Sequence, residues 1–372
     1  MANVHIGDDV LRNILGRLPG KPLLRFRCTS KHWNRLISDP YFMKSRSRRM
    51  VLFPLLKPLV AIDENVPVKD KTHSMVRIPS PPQHQEGLEI SIVGTFNGIV
   101  LLALTHKSFS CQLILYNPLT CASNVLVVMD PPSSECKFSY VFGFGHGETM
   151  HDLKIVRFEF IAPILWFKWD VFDLKTSSWS TPQYMKRGFW FWGDVGVFLN
   201  GFLYWVIYEY PCFEILALNV KEMVFSRIKL PNGLEHTWLL LESTGGCLCV
   251  ITIIGTTRFD MWLMKEECDE NSWMKVHSFT FGLKDDCCCK FLPVCILGNT
   301  KILLTNCSIQ LVIYDTSKGS GIMLNGSETF DHFERISRIF KFSNVHKTFY
   351  FKDIRSIEYI ESLVSPLDIC FI

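Results

Sequence analysis

No apolar run in this chain approaches the roughly 18 residues that a membrane-spanning helix needs. The longest, Cys247–Ile254 and Gly196–Ile207, have the length and β-branched, aromatic content of strands. The amino terminus, MANVHIGDD, has no basic segment leading into an apolar stretch, so the expected location is cytoplasmic, nuclear or both, with no membrane partner. There are 14 cysteines but no C-x-x-C pair: Cys247 and Cys249 are two apart, and Cys287, Cys288 and Cys289 are consecutive. That spacing argues against a structural zinc site, and a chain of this size without a signal segment keeps its thiols reduced. G-x-S-x-G, H-E-x-x-H and P-loop patterns are absent too. The glycine-dense Phe142–Gly147 is followed by HDLKIVRFEF, which reads as a strand, where a phosphate cradle requires a helix; it is expected to form a β-turn. His146 and His151 read as polar loop residues. The expectation is therefore a protein without catalytic residues, cofactor or metal.

Charge is scarce overall and uneven. The net value is +3, yet residues 1–50 carry 11 Lys/Arg against 3 Asp/Glu, leaving a head of +8 and a body of −5. Lys44, Arg46, Arg48 and Arg49 are the densest basic cluster and read as a solvated linker after the last helix, where cations suit the helix dipole. With the body net negative, no nucleic-acid partner is expected.

The most informative stretch is Asp8–Pro40. Val10, Leu11, Ile14, Leu15 and Leu18 recur at helical spacing behind Asp8 and Asp9, and Pro19-Gly20 stops that helix. Pro22 suits the first turn of a second helix holding Leu23, Leu24 and Phe26. Thr29 or Ser30 can cap a third, with Trp33, Leu36 and Ile37 on one face, and Asp39-Pro40 ends it. Some 35 residues with one cysteine, Cys28, bury too little to be stable alone, so the excess of leucines points to a partner surface. Over Val10–Phe42 the residues resemble the F-box, with its Leu-Pro, Lys-x-Leu-Leu-Arg-Phe-x-Cys, Ser-Lys-x-Trp and Leu-Ile-x-Asp-Pro-x-Phe elements in order. Ile6-Gly7 stands where F-boxes usually begin with Leu-Pro. The resemblance implies docking to a Skp-type adaptor, and through it to a cullin and a RING subunit. Leu11, Leu15, Leu18, Pro19, Leu23, Leu24, Cys28, Trp33 and Leu36 fall on the adaptor-binding pattern.

From Ile90 onward the chain becomes short runs of Val, Ile, Phe and Trp between turn residues, a β signature. Aligned on an apolar run ending in a polar turn, LILYNPLT, WDVFDLKTSSW, EILALNVKEMVF, FDMWLMKEECDENSW and LVIYDTSKGS place that turn near Asn117, Asp173, Asn219, Glu266 and Asp315, at steps of 56, 46, 47 and 49 residues. Second runs follow Asn97-Gly98, Asn200-Gly201, Gly245-Gly246 and Asn299. Such a period with several strands per unit is what propeller blades need. The runs FNGIVLL, FGFGHG, LKIVRF, GVFLNGFLYWV and ESLVSPL complete a resemblance, in order from Phe96 to Leu367, to the F-box-associated domain of plant F-box families, itself similar to kelch-type propellers. The proline-interrupted residues 54–82 are where the chain departs from that pattern.

The expected fold is thus mainly β with a small α head: an F-box of three short helices at 1–50, a connector with possible first-blade strands at 51–89, and a β-propeller-like domain of about six blades at 90–372. Phe349, Tyr350, Ile357, Tyr359 and Leu363 suit a C-terminal segment that completes an early blade. Between Thr181 and Val195, a stretch unlike the family, Lys186, Arg187, Trp190 and Trp192 are candidates to grip a target protein; four consecutive aromatics cannot all face one core, because alternate side chains of a strand point oppositely. The functional expectation is the substrate-recognition subunit of an SCF-type ubiquitin ligase. The alternative is a propeller enzyme or carbohydrate-binding module with an incidental helical N-terminus.

Overall fold

The computed structural model describes residues 6–46, 48–53, 59–63, 75–105, 111–129, 140–161, 166–186, 188–231, 234, 238–254, 258–281, 291–297, 300–305, 311–324, 340–342, 349–351 and 356–371. The head holds α1 (Asp8–Gly16), α2 (Gly20–Phe26), α3 (Lys31–Ser38) and a helix beyond the three expected, α4 (Pro40–Arg46). Asp39-Pro40 does end α3, but proline's fixed φ and missing N–H are equally suited to a first helical turn, so the same dipeptide opens α4. Of the two candidate caps for α3, Ser30 serves: its Oγ accepts from the Trp33 N–H at 3.1 Å.

The body is a six-bladed propeller of antiparallel sheets. Blade one contains β1 (Arg49–Phe53), β2 (Leu59–Asp63) and β3 (Met75–Ile78). Blade two is β4 (Glu89–Phe96), β5 (Ile99–Thr105), β6 (Cys111–Tyr116) and β7 (Ser123–Met129). Blade three is β8 (Val141–His146), β9 (Leu153–Ile161) and β10 (Trp166–Asp173), its outer position shared by β11 (Ser178–Trp179) and β12 (Gln183–Lys186). In blade four β13 (Trp190–Phe191) and β14 (Val197–Leu199) both pair with β15 (Phe202–Glu209), followed by β16 (Cys212–Asn219) and β17 (Val224–Lys229). Blade five is β18 (Trp238–Thr244), β19 (Cys247–Ile254), β20 (Arg258–Met264) and β21 (Trp273–Thr280), and blade six is β22 (Leu292–Leu297), β23 (Lys301–Thr305), β24 (Leu311–Asp315) and β25 (Ser320–Leu324). A hairpin of β26 (Phe340–Phe342) and β27 (Phe349–Phe351) precedes β28 (Ile357–Ile360).

β28 closes the ring. It pairs antiparallel with β1, Met50 opposite Tyr359, and becomes the inner strand of blade one, while Ser356 Oγ donates to Val294 O in blade six. Ile357 and Tyr359 therefore occupy the closing strand. Phe349 and Tyr350 belong to the separate hairpin. The apolar faces between blades form the core: one cluster between blades two and three around Leu101, Leu113 and Ile155, the next between blades three and four around Phe158, Trp169 and Trp205. No single blade can cover both its faces, so each sheet's stability depends on its neighbour.

The polar turns spaced along the sequence are the connections between the third and fourth strands of the blades. Asn117 Oδ1 accepts from Leu119 and Thr120 N–H, Asp173 Oδ1 from Lys175 and Thr176, Asn219 Oδ1 from Lys221 and Glu222, and Asp315 Oδ1 from Ser317. Four residues on, Cys121, Ser177, Met223 and Gly319 take positive φ, which turns the chain into the outer strand. Asn97-Gly98, Asn200-Gly201 and Gly245-Gly246 take two successive positive φ values between first and second strands, as the tightest hairpins require. Asn299 lies outside the described residues.

The expected β-turn at Phe142–Gly147 is instead mostly strand β8. Its glycines answer to aromatic neighbours: a Cβ on Gly143 would lie 2.5 Å from the Trp205 ring, and one on Gly145 2.2 Å from that of Phe198. Trp205 can then reach across and donate its Nε1–H to Phe142 O at 2.9 Å.

Candidate functional site

Two surfaces stand out, one on the head and one at the far rim of the propeller. In α1, Leu11 and Leu15 point inward, while Val10 and Ile14 are 54% and 51% exposed. Four residues apart, they form an apolar stripe on the outer side of the helix, and Ile6, ahead of the extended Gly7 N-cap, is exposed as well. Of the residues on the adaptor-binding pattern, Leu11, Leu15, Leu23 and Leu36 are buried, Leu18, Leu24 and Trp33 are half-buried, and Pro19 and Cys28 are exposed. The sequence pattern does not separate leucines that hold the head together from those that face outward, because both repeat at helical spacing. Val10 and Ile14 belong to the same periodicity and were missed as candidates.

The inner side of the head is seated on the propeller. Leu15, Leu23, Ile37, Phe42 and Met43 form a cluster with Leu119 from the β6–β7 turn, with Leu363 beside it. At Gly20 the head's backbone lies against propeller side chains: a Cβ there would lie 2.4 Å from Leu119 Cδ1 and 2.6 Å from Glu361 Oε1. Arg46 donates to Leu18 O at 2.8 Å and to Glu361 Oε2 at 3.2 Å, with both side chains almost wholly buried. Arg48 forks onto Asp63, and its carbonyl accepts from Glu361 N–H. The basic cluster read as a solvated linker is thus partly interior: Arg46 and Arg48 join α4, β1 and the segment after β28, whereas Arg49 stays exposed. Burial pushes the Glu361 carboxyl up, with Arg48 and Arg46 opposing, and burial pushes Arg46 down.

The aromatic stretch is divided by alternation. Phe189 and Phe191 enter the core between blades three and four, with ring centroids 5.5 Å and 5.2 Å from Phe167. Trp192 turns to the opposite side and packs edge-on against Phe213 at 4.8 Å, beside the core of blades four and five. Trp190 is 55% exposed and Lys186 is exposed. Arg187 lies outside the described residues. The structure brings Lys186 and Trp190 to one rim of neighbouring blades and places Trp192 in packing. Trp166 is exposed at the same end of the blades, as are Tyr184 and Tyr210, which the sequence did not single out.

His146 packs its ring against Phe198 at 4.8 Å, and no group of three potential metal ligands occurs among the described residues. Among them, too, no helix is long and apolar enough to cross a membrane.

Comparison with known proteins agrees with this two-part organisation. Residues 5–45 match the family described as the F-box domain, and residues 50–366 match that described as the F-box associated beta propeller domain. F-box protein CPR1 of Arabidopsis thaliana is 28% identical over 313 residues, covering 72% of this chain and 71% of that protein. F-box/kelch-repeat protein At3g17530 of the same plant is 24% identical, covering 96% and 94%. Among solved structures, the SapL1 lectin with alpha methyl fucoside aligns at a TM-score of 0.45 and 7% identity, covering 74% of this chain and 94% of that one. Oligogalacturonate lyase in complex with manganese aligns at 0.40 and 10%, covering 76% and 75%. A helical head matched as an F-box and a six-bladed body matched over more than half of the chain make this protein a member of the family of F-box proteins with an F-box-associated propeller.

Proposed function

We propose that this chain is the substrate-recognition subunit of an SCF-type E3 ubiquitin ligase, acting in the cytoplasm, the nucleus or both. The head docks to a Skp-type adaptor and through it to a cullin and a RING subunit, while the propeller captures a target protein. The chain performs no bond chemistry. It raises the effective concentration of target lysines near the ubiquitin thioester.

The observation that carries this reading is the exposed apolar stripe of Val10 and Ile14 on the outer side of a head whose inner side is already occupied by the propeller. An exposed apolar stripe beside a satisfied core marks a partner surface. In our reading the adaptor meets Val10 and Ile14 together with Pro19 and the outer parts of Leu18, Leu24, Cys28 and Trp33. Leu11, Leu15, Leu23 and Leu36 support that surface from beneath. The domain division proposed with it is a docking head over residues 1–50, a connector with first-blade strands over 51–89, of which β1 starts slightly earlier at Arg49, and the rest of the propeller over 90–372.

The test is co-purification of a plant Skp-type adaptor with the full chain and with a Val10→Glu/Ile14→Glu variant. Burying two carboxylates against an apolar partner costs several kcal/mol, so adaptor recovery falls by about a hundredfold or more. The melting temperature stays within a few degrees, since both side chains face solvent in the free protein. Undiminished adaptor binding by the folded variant refutes the assigned surface, and absence of adaptor binding by the unaltered chain refutes the function.

A further inference from the structure

The head carries more positive charge than its own fold uses. Arg12 is paired with Asp39 at 2.9 Å, and Arg46 is buried against Glu361. Lys21 is turned toward blade one, where its Nζ donates to Arg77 O at 3.0 Å. That leaves Arg17, Arg25, Arg27, Lys31 and Arg35, none of which lies within ion-pair distance of a carboxylate among the described residues. Arg27 Nε donates to Asn34 Oδ1 at 3.2 Å, and Arg35 meets the His32 ring at 3.5 Å. Against them stand Asp9, which is exposed, and Asp8, which meets the His32 ring at 3.0 Å. The nearby propeller carboxylates are engaged: Glu361, Asp63 and Glu358 answer Arg46, Arg48 and Arg49.

These cations also stand where the helices themselves do not favour them. α3 opens with Lys31 and His32 and has no acid in its first turn, although a helix N-terminus prefers negative charge. Lys31 and Arg35 are a like-charge pair at i, i+4. Both arrangements weaken the free head, so what they serve lies outside it.

Their placement frames the apolar stripe. Arg17 ends α1 in helical backbone, three positions after Ile14 and seven after Val10, and so continues the same face. At the other end of α1, the contact between Asp8 and His32 holds the first turn of α3, with Lys31 and Arg35, beside the first turn of α1. Arg25 is exposed on α2 next to the half-buried Leu24. Arg17, Arg25, Lys31 and Arg35 all face solvent, while the inner side of the head is covered by the cluster that includes Leu119.

We propose that these cations steer docking: the adaptor surface that receives the head is acidic around an apolar seat, so that charge sets how fast the two meet and Val10 and Ile14 set how long they stay together. This rests on the reading of the head as an adaptor-docking module and gives that partner surface its chemistry. Cations at the rim of an apolar contact speed encounter with a surface of opposite sign, and they add little to lifetime because rim charges stay hydrated in the complex.

The experiment measures association and dissociation rates of the full chain with a plant Skp-type adaptor as salt is raised. Between about 50 mM and about 500 mM salt, association slows by about tenfold or more, while dissociation changes by less than about threefold. Arg17→Glu/Arg25→Glu/Lys31→Glu slows association by about tenfold or more at low salt and removes most of its salt dependence. Its melting temperature is unchanged or higher, since the reversal removes the like-charge pair and puts an acid at the start of α3. Val10→Ala/Ile14→Ala does the reverse, speeding dissociation by about tenfold or more and keeping the salt dependence of association. Association that ignores salt, or a folded charge-reversed protein that associates at the unaltered rate, overturns the proposal. Binding to vesicles of anionic lipid that disappears on charge reversal, with adaptor association unchanged, overturns it in favour of a membrane surface. If the unaltered chain binds no adaptor at any salt, the receptor reading fails and takes the proposal with it, a result distinct from docking without steering.

Discussion

Two buried carboxylates titrate in opposite directions, and each sign follows from its neighbours. Asp260 is 1% exposed on blade five. Desolvation raises its pKa, but Lys275 Nζ at 2.5 Å, Ser278 Oγ at 2.5 Å and Arg258 outweigh it and hold the carboxyl below its usual range. A depressed carboxylate contributes stability above its ordinary pKa and loses it as pH falls through the lowered value. Glu361 has the opposite sign: its raised pKa means that its contribution is fullest at low pH and declines as pH rises through the ordinary range toward the raised value. Asp260→Asn therefore destabilises the propeller by about 2 kcal/mol at neutral pH, from losing the charge-assisted hydrogen bonds of a buried carboxylate to Lys275 and Arg258, which are themselves partly exposed and can hydrate. The difference in denaturation midpoint between the two proteins narrows below about pH 4, where only the unaltered chain still titrates at this site. A difference that stays constant down to the acid limit of folding would refute the assignment.

At the scale of elements, the legible part of the sequence was the part that repeats. Asn117, Asp173, Asn219 and Asp315 stand out because a short polar side chain is the cheapest way to satisfy the turn's N–H groups, and blades two, three, four and six use that turn again. Glu266 was aligned with them but acts differently: Asp269 accepts from Asn271 N–H, and Ser272 Oγ ties back to the Glu266 backbone. What could not be read was contact between distant segments. Gly143 and Gly145 looked like turn glycines, when Trp205 and Phe198, some 60 and 50 residues further on, are what exclude a Cβ. Arg46 looked like a linker cation, because its partner Glu361 is separated from it by 315 residues. Turns that look alike in sequence accordingly differ in energy. Asn219 serves its own turn at the surface, whereas Asn117 is wholly buried and its Nδ2 also donates to Ser362 O and Val364 O. Asn219→Ala costs about 1 kcal/mol and Asn117→Ala about 3 kcal/mol, because only the second removes a buried amide that also ties two carbonyls of the C-terminal segment. Equal losses in chemical denaturation would show that the tie to the C-terminal segment carries no energy.

On the scale of the molecule, closing the ring and seating the head use the same segment. β28 supplies the inner strand of blade one through its pairing with β1, and the residues that follow build the seat: Glu361 for Arg46, Ser362 for the β4–β5 turn, Leu363 for the head's apolar cluster. β1 in turn begins three residues after α4 ends, so head, first blade and C-terminal segment meet within a few residues. On the function proposed above, seating the head on the ring in this way sets the distance between the docking head and the propeller's far rim, which suits delivery of target lysines to a distant thioester. A chain ending after Asn344 lacks β28 and everything that rests on it. It exposes the β1 edge and the apolar face with Met50 and Leu52, so it melts many degrees lower or with lost cooperativity and is cleaved by protease within blade one. Glu361→Ala separates the two roles, since it leaves β28 intact but strands Arg46, 2% exposed, without its carboxylate. That variant keeps the melting cooperativity of the propeller, while limited proteolysis after α4 becomes faster as the head lifts from its seat. Unchanged cleavage between α4 and β1 in Glu361→Ala, together with full-length melting of the truncated chain, would show that neither closure nor seating depends on the C-terminal segment.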